Sequence, residues 1–290
     1  MEVFLSTLIN GLSLGGIYAM IALGYTMVYG IAKMLNFAHG DIIMVGGYVI
    51  YVFMATNNPL LAIGMAVLGC VILGIVIEKV AYKPLRGASP LAVLITAIGV
   101  SYLLQSLAQI IFGSANKMVV VYDFGSVSLF GVPVQVSALV TLGVTVVVMA
   151  ALTMFIKCTK LGRAMIAVSE DKGAAQLMGI NVNGIITITF AIGSALAALA
   201  GLFYLLKAPS ISSTLGAMPG IKAFTAAVIG GIGSIPGAML GGILLGIVEC
   251  ISYKITAIAP YTDAIEFSIL IIILLVRPTG FLGKKRREKV

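Results

Sequence analysis

The chain has 290 residues, 60% hydrophobic and only 10% charged, against about 25% charged in a soluble domain. Its uncharged runs exceed the roughly 18–20 residues that cross a bilayer, which makes it an all-α polytopic membrane protein. Their continuity excludes a β-barrel, whose strands alternate, and the net charge of +8 fits cationic membrane edges better than nucleic acid.

The N-terminus, MEVFLSTLIN, carries Glu2 and no Lys or Arg, so the first span is expected to be retained rather than cleaved. No charge occurs between Glu2 and Lys33, but Gly11, Gly15, Gly16, Gly24 and Gly30 punctuate the run, which is expected to be broken or tilted. A polar knot follows, KMLNFAHGD at 33–41. Residues 42–77 form two spans parted at Asn57-Asn58-Pro59, where Asn and Pro favour a turn. A basic loop, EKVAYKPLRGASP, leads to a fourth span at 91–112. Residues 114–133 are polar and strand-like, with Gly125 and Gly131 as turn residues, and a fifth span covers 134–156.

The polar interruption Lys157–Gly184 precedes a sixth span at 185–206. Residues 207–222 are expected to be a loop. Residues 223–232 are too short to cross and end in GGIGSIPG, 230–237, which cannot continue a helix. Residues 238–251, a loop around Pro260, a last span at 264–276 and a basic tail complete the chain. The expectation is one transmembrane domain, a bundle of about eight helices with broken or re-entrant segments.

Orientation follows from Lys and Arg. With 157–184 inside, Lys33, the 79–86 loop and the tail share its side, fourteen basic residues against four: Lys117, Lys207, Lys222 and Lys254. Cytoplasmic loops carry the excess, which places the N-terminus outside and the C-terminus inside. Gly11-x-x-x-Gly15, Gly237-x-x-x-Gly241 and Gly242-x-x-x-Gly246 have the spacing for close helix packing in lipid, either within the chain or at a subunit seam. Cys70 and Cys250 lie in apolar spans and read as small core residues.

The residues provide no catalytic frame. His39 is the single histidine, no G-x-S-x-G or HExxH occurs, and a multi-histidine zinc site is impossible. GGIGSIPG is not a phosphate loop, because no GxxxxGK[ST] exists. No metal or cofactor is expected, and ATP hydrolysis, if used, must come from a partner. Asn36, His39 and Asp41 are pathway candidates, since polar groups at membrane depth mark transport routes. The expected topology sets them near the cytoplasmic edge, where a capping turn with Asp41 at a helix start is the plainer reading. Glu249 and Glu266 are expected to pair with Lys254, line a gate or snorkel.

Within 157–184, the spacing predicts one short helix over Arg163–Met178, stopped by Gly179. Ala164, Ala167, Val168, Ala175 and Met178 fall on one side, a face suited to a groove on another protein or to the membrane interface. The pattern Ala174-Ala175-x-x-x-Gly179 is similar to the cytoplasmic loop by which permeases of binding-protein-dependent ABC importers engage their ATPases. Gly173 stands where that loop usually has Glu, and the downstream Ile-x-Leu-Pro is absent. NGLSLGGIYAMIALGYTMVYGI, LNFAHGDIIMVGGY, SEDKGAAQLMGINV and GIKAFTAAVIGGIGSIPGAMLGG together resemble the permeases of branched-chain amino acid ABC importers, of the Liv type and its H-like subunit.

That resemblance implies a bacterial inner-membrane subunit in lipid, with a sister permease, two ATPase subunits and an extracytoplasmic substrate-binding protein. It also implies Glu170, Asp171, Ala174, Ala175 and Gly179 as ATPase-contact residues. Relatives of this kind carry urea, amides or other amino acids. The competing classes are an ion-coupled secondary transporter, whose broken-helix signature is partly present, and an intramembrane enzyme.

Overall fold

A computed structural model describes residues 2–122, 124–129 and 132–283; the turn residue Gly131 and most of the basic tail lie outside them. Eleven α-helices are present among the described residues. Seven are long and apolar enough to cross a membrane, and the two at His39–Met54 and Ala217–Gly230 are apolar but shorter.

The first half comprises α1 (Glu2–Ala32), α2 (His39–Met54), α3 (Pro59–Ile77) and α4 (Pro90–Phe112). Contrary to the expectation from its glycines, α1 is one unbroken helix of 31 residues. The Asn-Asn-Pro turn is a cap: Asn58 accepts from the Leu61 N–H at 3.2 Å and Pro59 opens α3. Ser89 and Pro90 start α4 the same way. The loop after α4 pairs β1 (Lys117–Met118) with β4 (Ser210–Ile211), and β2 (Ser126–Leu129) forms a hairpin with β3 (Val132–Gln135).

Then follow α5 (Val136–Cys158), α6 (Lys160–Glu170), α7 (Lys172–Leu177), α8 (Val182–Lys207), α9 (Ala217–Gly230), α10 (Ile235–Lys254) and α11 (Thr262–Val276). The 207–222 region, expected as a loop, already turns helical at Ala217. GGIGSIPG is the α9–α10 joint: Gly231 and Gly233 take φ of 103° and 94°, which an L side chain rarely adopts. Ser234 and the following Pro then start α10.

The helices α8–α11 repeat the order of α1–α4 with opposite direction: a long span, a short helix and two further spans, the last running over Ala259–Val276. α1 packs on α10, and α8 on α3. α2 packs on α3 and α8, and α9 on α10 and α1. The core lies around α1 and α8, where Ile17, Met20, Ile21, Leu23, Ile186 and Phe190 are fully buried.

The three small-residue motifs are all consumed inside the chain. Gly15 and Gly246 meet backbone to backbone across α1 and α10, while Gly237 and Gly241 meet Gly230 and Ala226 of α9. The short helices touch at their starts, where a Cβ on either Gly40 or Gly216 would overlap the other's backbone.

Two ends of the bundle can be told apart. Arg86 bonds Asn183, Lys172 reaches the Ala32 carbonyl, and Phe281 N–H donates to Ile229 O. Lys33, Lys79, Lys83, Arg86, Lys157, Lys160, Arg163, Lys172 and Arg277 therefore share one end. The β1–β4 pairing brings the loops after α4 and α8 together at the other end.

Candidate functional site

The loop at the basic end forms a knob of two helices, not the single helix expected over Arg163–Met178. Thr159 caps α6, accepting from the Gly162 N–H at 3.0 Å. The chain breaks at Asp171 (φ −150°, ψ 112°), whose Oδ1 accepts from the N–H groups of Gly173 and Ala174 at 2.8 and 3.0 Å. A short carboxylate that satisfies two free N–H groups at once makes a new helix start more favourable than continuation. Gly179, at φ 80°, ends α7. Its N–H donates to Gln176 O and that of Ile180 to Ala175 O, both at 3.0 Å, the paired bonds of a Schellman stop.

The inner face of this knob is used by the chain itself. Met165, Val168 and Ala175 are buried, Ala175 to 4% exposure, and Ala164 and Ala167 pack partly against the same core. Lys172 is clipped by a 2.9 Å bond from Nζ to the Ala32 carbonyl, a cation set at the C-terminal end of α1. Partial burial, and then Arg86 nearby, lower its pKa.

The outer tip shows Leu177 at 90% and Met178 at 82% exposure. Glu170, Asp171, Ala174 and Gly179 are exposed beside them. The sequence reading missed Leu177 and put Met178 on the alanine side. The signal for the tip was an apolar pair directly before a C-terminal glycine.

Asn36, His39 and Asp41 come together around the start of α2, deeper than the membrane edge. The His39 ring lies against Gly24 and near Gly193. Gly24 is eight residues before the end of α1, so α2 begins about 12 Å inside the bundle at a rise of ~1.5 Å per residue. The glycines at 24, 40, 216 and 220 allow this depth, since their missing side chains leave room for a neighbouring backbone or ring. All three residues are buried. Asn36 accepts from the Tyr82 hydroxyl at 2.8 Å, and His39 meets Tyr25 edge-on at 4.8 Å. Asp41 accepts from Gln105 Nε2 at 2.9 Å. Each is thus tied to a different neighbouring element.

Removing the Asp41 carboxylate takes away the charged acceptor of the part-buried Gln105 Nε2, which keeps only its 3.2 Å bond to Ser101 Oγ. Asp41→Ala is expected to cost about 1–3 kcal/mol, read as a lowered thermal midpoint in detergent, while Asp41→Asn keeps an acceptor and the midpoint. Equal midpoints for both variants would show that this bond does not hold α2.

A third cluster was not foreseen. Lys222 of α9, placed in an outer loop by the sequence reading, is 4% exposed. Its Nζ lies 3.0 Å from Glu249, 2.8 Å from Asp263 and 3.3 Å from Glu266. Tyr18 of α1 donates to Glu249 at 2.7 Å. One lysine therefore joins α9, α10 and α11, and Tyr18 adds α1. The partner of both glutamates is Lys222 and not Lys254, because positions 249 and 254 are five apart and lie about 140° apart around a helix.

Residues 7–274 match the family described as branched-chain amino acid transport system / permease component. The chain is 43% identical to the high-affinity branched-chain amino acid transport system permease protein BraD of Pseudomonas aeruginosa, over 99% of this chain and 98% of that protein. It is 42% identical to the corresponding LivH of Escherichia coli K12, with the same coverage. Among solved structures, an inward-facing conformation of a putative metal-chelate type ABC transporter aligns with a TM-score of 0.48 at 16% identity, over 95% of this chain and 88% of that one. A match spanning nearly every helix, on a multi-pass fold with a capped knob at its basic end, means that this chain belongs to the branched-chain amino acid transport permease family.

Proposed function

We propose that the chain is a permease subunit of an ATP-driven importer of branched-chain amino acids in the bacterial inner membrane. It forms the translocation pathway with a sister permease, receives substrate from an extracytoplasmic binding protein and is driven by two cytoplasmic ATPase subunits. The observation that carries this reading is the match over residues 7–274. The basic end is then cytoplasmic by the positive-inside rule, with the N-terminus outside and the C-terminus inside.

In this reading the α6–α7 knob meets the ATPase. Leu177 and Met178 are the apolar anchors, and an exposed apolar pair at the tip of a polar loop is the usual mark of a protein contact. Glu170, Asp171, Ala174 and Gly179 surround them, while buried Ala175 supports the tip from within. Asn36, His39 and Asp41 brace the start of α2 along the pathway wall.

Gly179→Arg places a bulky cation in a left-handed conformation that costs L residues roughly 1–2 kcal/mol. Reconstituted with all partner subunits, this variant is expected to lower ATP-driven leucine, isoleucine and valine uptake about tenfold, the equivalent of ~1.4 kcal/mol of docking. The permease itself should remain folded. Full uptake by the variant would refute the contact, and uptake that follows an ion gradient without ATP would refute the importer.

A further inference from the structure

A groove of about 690 Å³ runs along the outer face of α10. Leu240, Ile243, Leu244, Ile247 and Val248 form its floor, Phe281 and Leu282 a wall, and Arg277 is its one charged lining residue. The wall is fixed by structure: Phe281 and Leu282 donate their N–H groups to Ile229 O and Gly230 O, both at 2.9 Å. Gly231, Gly280 and Gly283 interlock behind them with no room for a Cβ. From Leu240 to Val248 the floor extends about 12 Å along the helix axis.

Arg277 follows the C-terminal end of α11, at the basic end of the bundle. Among the described residues its guanidinium has no acidic partner. The groove therefore offers two kinds of surface side by side: an apolar track at membrane depth and a cation at the membrane edge. A guanidinium fork suits the paired oxygens of a phosphate better than an ammonium does.

We propose that this groove holds one anionic phospholipid of the leaflet at the basic end, with an acyl chain along α10 and the phosphate on Arg277. A free phosphate would leave the apolar track unused. A transmembrane helix of a neighbouring subunit laid on the floor would bury Arg277 at a cost unless it carried an acid of its own there.

The test uses the chain with its copurifying subunits, reconstituted in bilayers of equal phosphatidylglycerol and phosphatidylethanolamine and read by native mass spectrometry after mild extraction. Retained phosphatidylglycerol is expected to exceed phosphatidylethanolamine about fivefold, the ratio one membrane-surface cation supplies. Arg277→Gln should bring that ratio to about one, and Arg277→Lys should keep most of it. Leu244→Trp, which fills the floor, should lose the retained lipid altogether. Neutralising Lys284, Lys285, Arg286 and Arg287 should leave the ratio unchanged. The proposal is overturned if Arg277→Gln retains the parent ratio, if neutralising the tail abolishes it, or if Leu244→Trp separates the neighbouring permease from the complex and so assigns this face to a subunit contact.

Discussion

Replacing Lys222 with methionine is expected to destabilise the chain by about 3–5 kcal/mol, the range seen when one partner of a buried ion pair is removed. Among the described residues, the lysine is the single cation facing Glu249, Asp263 and Glu266. Asp263 is about half exposed (48%), so solvent screens its share and little of the effect comes from it. Glu266 is fully buried and Glu249 nearly so; without Lys222 each loses its counter-charge in an apolar surround.

The readout is the thermal midpoint and the monodisperse yield in detergent. Adding Glu249→Gln and Glu266→Gln to Lys222→Met should recover most of the loss, because neutral partners no longer need the cation. An unchanged midpoint in the single variant would show that the cluster is not structural. Failure of the triple variant to recover would show that the lysine acts through packing and not through charge.

The second large effect is expected at Gly246. A Cβ there would overlap the N and Cα of Gly15, and on the facing helix a Cβ at Gly15 would come 2.7 Å from the Ile243 Cα. Backbone cannot rotate out of the way as a side chain can. Overpacking ordinarily costs about 1–3 kcal/mol, and a leucine against backbone belongs at or above the upper end. Gly246→Leu should therefore yield little or no folded protein in the membrane fraction. Gly99→Ala, at a position on α4 with open space around it, should fold like the parent. Normal yield from Gly246→Leu would mean that α1 and α10 do not lie in contact.

The spans themselves were legible because bilayer crossing requires long uncharged runs, and the turn at Asn58-Pro59 is local chemistry. The close approach of α1 and α10 was legible as glycine spacing, although spacing alone left open whether the seam lay within the chain or between subunits. Lys222 was not legible. Pro209, Pro219 and a run of serines give residues 207–222 the composition of a loop, and a lysine in a loop reads as exposed. What buries it is three acids on two other helices, and that is information in the fold alone.

The break at Asp171 was hidden for a different reason. Asp favours a cap but is tolerated on a helix surface, and only the backbone at 173 and 174 decides which role it takes. The depth of His39 depended on glycines as far away as position 216, which no local pattern reveals.

The meeting of Gly40 with Gly216 has a thermodynamic consequence. Burying a long side chain freezes rotamers at up to roughly 1.5–2 kcal/mol each, whereas glycine has none to freeze. Helices in lipid also lack the hydrophobic force that repays such losses in water. Backbone-to-backbone contacts at 40–216 and 15–246 therefore join the two halves, and that at 230–237 joins α9 to α10, while ordering almost no side chains. Van der Waals attraction between them carries no rotamer penalty that grows with temperature. The centre of the bundle should thus be its last part to loosen on heating, and hydrogen exchange at these glycines its slowest.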